Sequence, residues 1–129
     1  MTAPEMKKQW TVEFHPDFAL EVFRFSEAVR QEIYSSAGLL REIGPQLGRP
    51  HVDTLNGSKH LNMKESRFRA DNGVWRVAFA FDLKRNAILL AGGDKSGVSQ
   101  DRFYRNLIEI ADRRFDQHQL AIAAKKEKR

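Results

Sequence analysis

Arg67, Arg69 and Arg76 lie close together in a stretch that alternates apolar and polar side chains. Side chains of an extended chain alternate between two faces. A turn at Asp71-Asn72-Gly73 would fold the two runs back on each other, so the three guanidiniums can share one sheet face with Glu65. Arginine stays charged and offers a planar fork that matches phosphate oxygens in pairs. Three such groups repel one another unless something anionic meets them. Placed around a phosphate, they would bind it and stabilise the added charge of a phosphorane-like transition state. His60, preceded by Lys59, leads into the same run and can exchange a proton near neutral pH. Lys95 sits in a glycine-rich turn, Gly92–Gly97, and Tyr104 follows early in the last helical pattern. Each has a plainer reading: arginines that keep an exposed face soluble, a loop histidine bonded to backbone, a tyrosine packed beside Phe103.

Composition narrows the chemistry. The chain has 129 residues, 22 basic against 17 acidic side chains and a net charge of +5. Residues 1–58 are net acidic, whereas 59–105 carry a surplus of basic groups, as expected where one surface meets a polyanion. The sequence has no cysteine, which removes a disulfide scaffold, a thiol nucleophile and a thiolate-held zinc. His15, His51, His60 and His118 form no i, i+4 pair, so the sequence calls for no metal. Gly92-Gly93-Asp94-Lys95-Ser96-Gly97 lacks the Gly-Lys-Ser/Thr order of a nucleotide-binding P-loop. No apolar run reaches the roughly 20 residues of a membrane span, and Lys7 and Lys8 precede no apolar signal core. A cytoplasmic, single-domain protein without a cofactor is expected.

The elements that must position these groups follow from periodicity. Trp10–Phe14 alternates and reads as a strand. His15-Pro16-Asp17 ends it, with Asp17 able to cap a short helix carrying Phe18, Val22 and Phe23. Val29, Ile33, Ala37, Leu40 and Ile43 recur at helical spacing, and Gly44-Pro45 stops that helix. Residues 47–62 show no period and are expected to be loop. Three strands follow, over 64–70, 74–82 and 86–91. Ser99 then caps a helix with Phe103, Leu107, Ala111 and Phe115 on one face. In the middle strand Trp75, Val77, Phe79 and Phe81 should pack on helices, leaving Arg76 above an open floor of Val74, Ala78 and Ala80. The expected fold is α+β, a strand and helical hairpin on a small, largely antiparallel sheet with a C-terminal helix. Residues 1–9 should form a flexible start, 10–118 the domain, and 119–129 a frayed basic tail.

Leu47-Gly48-Arg49-Pro50, Leu55-Asn56-Gly57, Met63-Lys64-Glu65-Ser66-Arg67-Phe68-Arg69 and Gly73-Val74-Trp75-Arg76-Val77, in that order, resemble the RelE/ParE toxin superfamily of toxin–antitoxin pairs, and in particular its HigB-like, phage-derived branch. The likeness spans about Trp10 to His118. It departs from the family at Ser66, where relatives usually carry an apolar residue. The resemblance implies a type II toxin that cleaves mRNA in the ribosomal A site without a metal, using the 2′-hydroxyl as nucleophile. It also implies a cognate antitoxin, itself a DNA-binding repressor, that binds the toxin in a heterocomplex. By position, Arg76 matches the family arginine at the scissile phosphate, and Arg67 and Arg69 match basic positions on the preceding strand. Lys95 and Tyr104 resemble the late basic residue and late tyrosine. The expected catalytic set is therefore Arg76, Arg67, Lys95, Tyr104 and His60, with Lys59, Lys64, Arg69 and Arg102 as RNA-binding cations. A ParE-like gyrase poison and a non-catalytic RNA- or ribosome-binding module are the rival functions, because fold does not fix function.

Overall fold

The computed structural model describes residues 9–127, so the start expected at residues 1–9 lies, apart from Gln9, outside the described residues. Five strands form one sheet in the order β1-β5-β4-β3-β2. β1 (Thr11–Phe14) lies parallel to β5 (Asn86–Asp94) at one edge, and β2 (Val52–Thr54), β3 (Met63–Ala70), β4 (Gly73–Phe81) and β5 are antiparallel neighbours. The strand, paired helices, antiparallel meander and final helix appear in the expected order.

Local chemistry explains most boundaries. Ala70 pairs with Gly73 across a two-residue turn in which Asp71 and Asn72 take positive φ, 51° and 60°. Asp and Asn tolerate that conformation, and its twist suits a tight hairpin. Helix α1 (Pro16–Val22) is capped by His15, whose Nδ1 accepts from the Asp17 amide, so His15 and not Asp17 supplies the cap. Helix α2 (Glu27–Ile43) starts at Ser26, whose hydroxyl accepts from the Val29 amide, and ends at Gly44 with φ of 71°. A Cβ on Gly44 would come within 2.3 Å of the Trp10 indole, so this glycine serves close approach as well as backbone freedom.

Three boundaries differ from expectation. β2 lies inside the segment expected as loop; three residues are too few for alternation to show. β5 runs to Asp94, taking Gly92 and Gly93 into the sheet. A Cβ on Gly92 would meet Val77, the Arg76 carbonyl and Phe18 at 3.1–3.3 Å, so these glycines read better as tight packing than as a loop. Helix α3 (Gln100–Glu127) continues into the tail expected to fray, to the last described residue. Ala121 to Lys126 is made of good helix formers, with no glycine or proline to stop it.

The sheet separates two cores. Val77, Phe79 and Phe81 pack with Phe18, Val22, Ile33 and Leu40 under α1 and α2. On the opposite face Ala78, Ala80, Ile88 and Leu90 pack with Leu107, Ala111 and Phe115 of α3. The small residues of β4 are thus no open floor, because α3 lies on them. A register shift between Ala78 and Phe79 puts Leu90 and Ala91 together on the α3 side. That shift brings Gly93 opposite Arg76. Among the described residues no helix is long and apolar enough to cross a membrane.

Candidate functional site

Near the first turns of α3 the sheet face becomes polar. Arg67 on β3 stands directly opposite Arg76 on β4. Arg76 is 5% exposed, a buried cation and not the surface group its alternation suggested. Its Nε donates to the Tyr104 hydroxyl at 3.3 Å and its Nη1 to the Trp75 carbonyl at 2.9 Å. The Tyr104 hydroxyl in turn donates to Glu65 Oε1 at 3.1 Å, and the same oxygen lies 3.7 Å from Arg76 Nε. Arg76, Tyr104 and Glu65 are therefore one network, two strands and the last helix each contributing a member.

Glu65 is the member that the expected catalytic set lacks. It is as buried as Arg76, and its Oε2 has no hydrogen-bond partner. Burial raises its carboxyl above the ordinary range, against the opposing pull of the Tyr104 hydroxyl, Arg76 and Arg67. Burial also raises the Tyr104 phenol above its usual value, so it keeps its proton at neutral pH. A buried carboxyl whose proton affinity burial raises, held beside a tyrosine hydroxyl and an arginine, is a candidate for proton transfer. Alternation alone puts Glu65 on the face of Arg67 and Arg69, but its burial there, which sets its chemistry, comes from the packing of α3 and is not written in the pattern.

Two depressions that share Arg49 and Arg67 open beside this network. One, about 580 Å³, is lined by Arg49, Asp53, Glu65, Arg67, Lys95 and Tyr104 among others. The other, about 380 Å³, is lined by Arg49, Arg67, Arg69 and Arg76 with Pro50, Phe68 and Val74. Lys95 is held by its amide, which donates to the Val74 carbonyl at 2.8 Å. Asp94 before it accepts from the Val74 and Ser96 amides at 3.0 and 2.9 Å, which fixes the turn. Arg49, outside the expected set, enters from the turn before β2. Its place depends on a three-residue strand that periodicity does not reveal.

The structure brings Arg67, Arg69, Arg76, Lys95 and Tyr104 together and leaves other candidates elsewhere. His60 Nε2 lies 2.9 Å from Asp116 Oδ1, its ring stands edge-on to Phe115, and Lys59 pairs with Asp116 too. Asp116 lies three turns along α3 from Tyr104, roughly 18 Å at 1.5 Å per residue. His60 and Lys59 thus fasten a loop to α3 away from the network. Lys64 occupies the other sheet face, where its Nζ donates to the Pro45 carbonyl at 2.9 Å. Arg102 is exposed in the first turn of α3, which its amide joins through Ser99 Oγ. Ser66 is buried and its hydroxyl has no partner, so an apolar side chain would suit that position better.

Residues 21–116 match the model of a phage-derived family described as Gp49-like. That stretch contains the network, both depressions and most of the sheet. The chain belongs to the Gp49-like family. Among the curated relatives of this chain, a Mycobacterium tuberculosis protein assigned as toxin HigB3 is 46% identical over 92 residues, covering 71% of this chain and 78% of the relative. Another from the same organism, assigned as toxin HigB2, is 41% identical over 98 residues, 75% of this chain and 48% of the relative. The chain thus spans about half the length of the HigB2 relative. The fold is that of solved RelE structures. A double-arginine mutant of Escherichia coli toxin RelE in the free state gives a TM-score of 0.56 at 11% identity, covering 78% of this chain and 94% of that one. The archaeal RelE of a RelE–RelB complex from Pyrococcus horikoshii gives 0.50 at 16% identity, covering 69% and 98%. The Gp49-like chain therefore carries the HigB-type sequence on the RelE-type fold expected from its motifs.

Proposed function

We propose that this Gp49-like chain is the toxin of a cytoplasmic toxin–antitoxin pair and acts as a ribosome-dependent mRNA endoribonuclease. The observation that carries the reading is the buried Glu65 with one unused carboxylate oxygen, tied through Tyr104 to Arg76 beside an arginine-lined cleft. In the proposed reaction Glu65 takes the proton of a ribose 2′-hydroxyl. The 2′-oxygen attacks the adjacent phosphorus and the bond from phosphorus to the 5′-oxygen breaks. Arg76 and Arg67 hold the non-bridging oxygens as charge accumulates. Tyr104 keeps Glu65 and Arg76 in register, and the Lys95 ammonium gives a proton to the leaving 5′-oxygen. The products are a 2′,3′-cyclic phosphate and a 5′-hydroxyl, which makes the reaction specific for RNA. The relatives assigned as HigB toxins support the toxin class. The RelB partner in the archaeal structure supports an antitoxin that binds this fold. An acidic antitoxin segment would complement the arginines.

The test is pulsed expression with mapping of mRNA 5′ ends, comparing wild type with Glu65→Gln and Tyr104→Phe. Codon-phased ends bearing 5′-hydroxyls, lost in Glu65→Gln and reduced in Tyr104→Phe, are expected. Growth arrest with intact mRNA and damaged DNA would point to gyrase instead. Absence of arrest would leave a binding module.

A further inference from the structure

Two guanidiniums converge on a single carboxylate oxygen at the mouth of the cleft. Arg49 Nε and Nη2 lie 3.1 and 2.6 Å from Asp53 Oδ2, and Arg67 Nη1 lies 3.5 Å from the same atom. The base of this arrangement is fixed. Asp53 Oδ1 accepts from the Thr54 amide at 2.9 Å, the Val52 amide donates to Gly48 at 3.0 Å, and the Arg67 amide donates to His51 at 2.8 Å. The top is not fixed, since the Arg49 side chain is 73% exposed and such a pair is weakly held in water. Arg69, also exposed, lines the same depression.

The charges do not balance. Arg76 is matched by Glu65, which leaves Arg49, Arg67, Arg69 and Lys95 facing only Asp53 and Asp101 around the two depressions, an excess of two positive charges. One phosphodiester at the scissile position cancels only half of the excess. We propose that Arg49, with Arg67 and Arg69, forms a second phosphate site for the RNA linkage next to the scissile one. Asp53 is the placeholder that holds the guanidiniums at phosphate-binding spacing until RNA arrives. The inference rests on the nuclease reading for the position of the scissile phosphate. It adds a backbone contact that would set the strand's register in the cleft, since phosphate contacts position and carry no sequence information.

The experiment uses ribosomes programmed with a short mRNA that has a 2′-deoxy sugar at the cleavage position, to which the protein binds but which cannot react. Single neutral methylphosphonates are placed in turn at the linkages flanking the scissile one. Wild type should lose about tenfold in affinity when one flanking linkage is neutralised, the loss of a charge-assisted contact. Arg49→Ala should show that loss with the unmodified RNA and no further loss with the methylphosphonate. It should also flatten the log–log salt dependence by about 0.7, the value for one single-strand phosphate contact. Asp53→Asn, which keeps the bond from the Thr54 amide, should bind more tightly. Independent, multiplicative losses for Arg49→Ala and the methylphosphonate would overturn the assignment of Arg49. Insensitivity of wild type to every flanking linkage, with mRNA cleavage intact, would overturn the second site alone. No RNA binding together with no cleavage would overturn the nuclease reading as well.

Discussion

Removing Arg76 should cost stability through Glu65, and the size of the effect follows from burial. Both side chains are 7% exposed and 3.7 Å apart at their closest charged atoms. Arg76→Ala leaves a carboxylate in a site from which water is nearly excluded. Breaking a buried pair by removing one partner costs about 3–5 kcal/mol. A domain of this size is stable by only about 5–15 kcal/mol. At about 4 °C per kcal/mol, the variant should melt some 12–20 °C below wild type. Arg76→Ala combined with Glu65→Gln removes the stranded charge, so the double variant should be the more stable of the two, with a coupling of about 2–3 kcal/mol. The pH dependence has a definite sign. Burial already raises the Glu65 carboxyl above its ordinary value, and loss of Arg76 raises it further. A raised folded-state value means that the folded protein binds the proton more readily than the unfolded chain, so folding gains as pH falls through that value. The deficit of Arg76→Ala should therefore shrink between neutral pH and about pH 5, just above the ordinary carboxylate range, whereas that of the double variant should not. Urea and thermal denaturation followed by circular dichroism at both pH values supply the numbers. Strict additivity of the two substitutions, with equal deficits at both pH values, would refute the pairing and make Arg76 a cation held without a counter-ion.

Two further outcomes test the surroundings of the site. His60→Ala should leave the rate of mRNA cleavage within about twofold while lowering stability by about 1 kcal/mol, the worth of its bond to Asp116; a collapse of activity in a folded variant would return His60 to the chemistry. Arg114 donates to both carboxylate oxygens of Glu21 at 2.9 and 2.7 Å and to the Leu90 carbonyl at 2.8 Å, joining α3 to α1 and β5. That hydrogen bonding is the main reason the Glu21 carboxyl lies below its ordinary value, so its contribution is present above that value and is lost as pH falls through the depressed one. Melting temperatures of Glu21→Gln should lie below wild type at neutral pH and converge with it in acid, and parallel pH profiles would rule out this link.

Periodicity locates a residue on a face but says nothing of what covers that face. Trp75, Val77, Phe79 and Phe81 could be assigned to the helical side because bulky apolar groups at period two must be buried. The run of small groups at Ala78 and Ala80 looked like an open floor, yet small side chains are what lets α3 approach closely, and that approach buries Arg76. Lys64 was legible by parity, since a neighbour of Glu65 must face the other way. His60 was not, because its partner Asp116 lies far along the chain in a helix whose rotation is set by packing. Arg49 and Asp53 were hidden for the same reason: β2 is specified by its pairing with β3 and not by its own three residues.

The pairing of β1 with β5 also governs the order in which the chain can assemble. Pairs within β3, β4 and β5 join neighbours in sequence, whereas Thr11–Phe14 must find Asn86–Leu89. Closing so large a loop is entropically costly, and non-local contacts of this kind slow folding. During synthesis the first strand leaves the ribosome long before its partner β5 is made. The arginine-bearing β3–β4 hairpin can close through contacts between neighbours, while β1 waits as an unpaired edge open to association with other chains. A chain interrupted before β5 would leave β1 unpaired on both sides, so truncated products should aggregate more than full-length chains, in which β5 covers one side of β1.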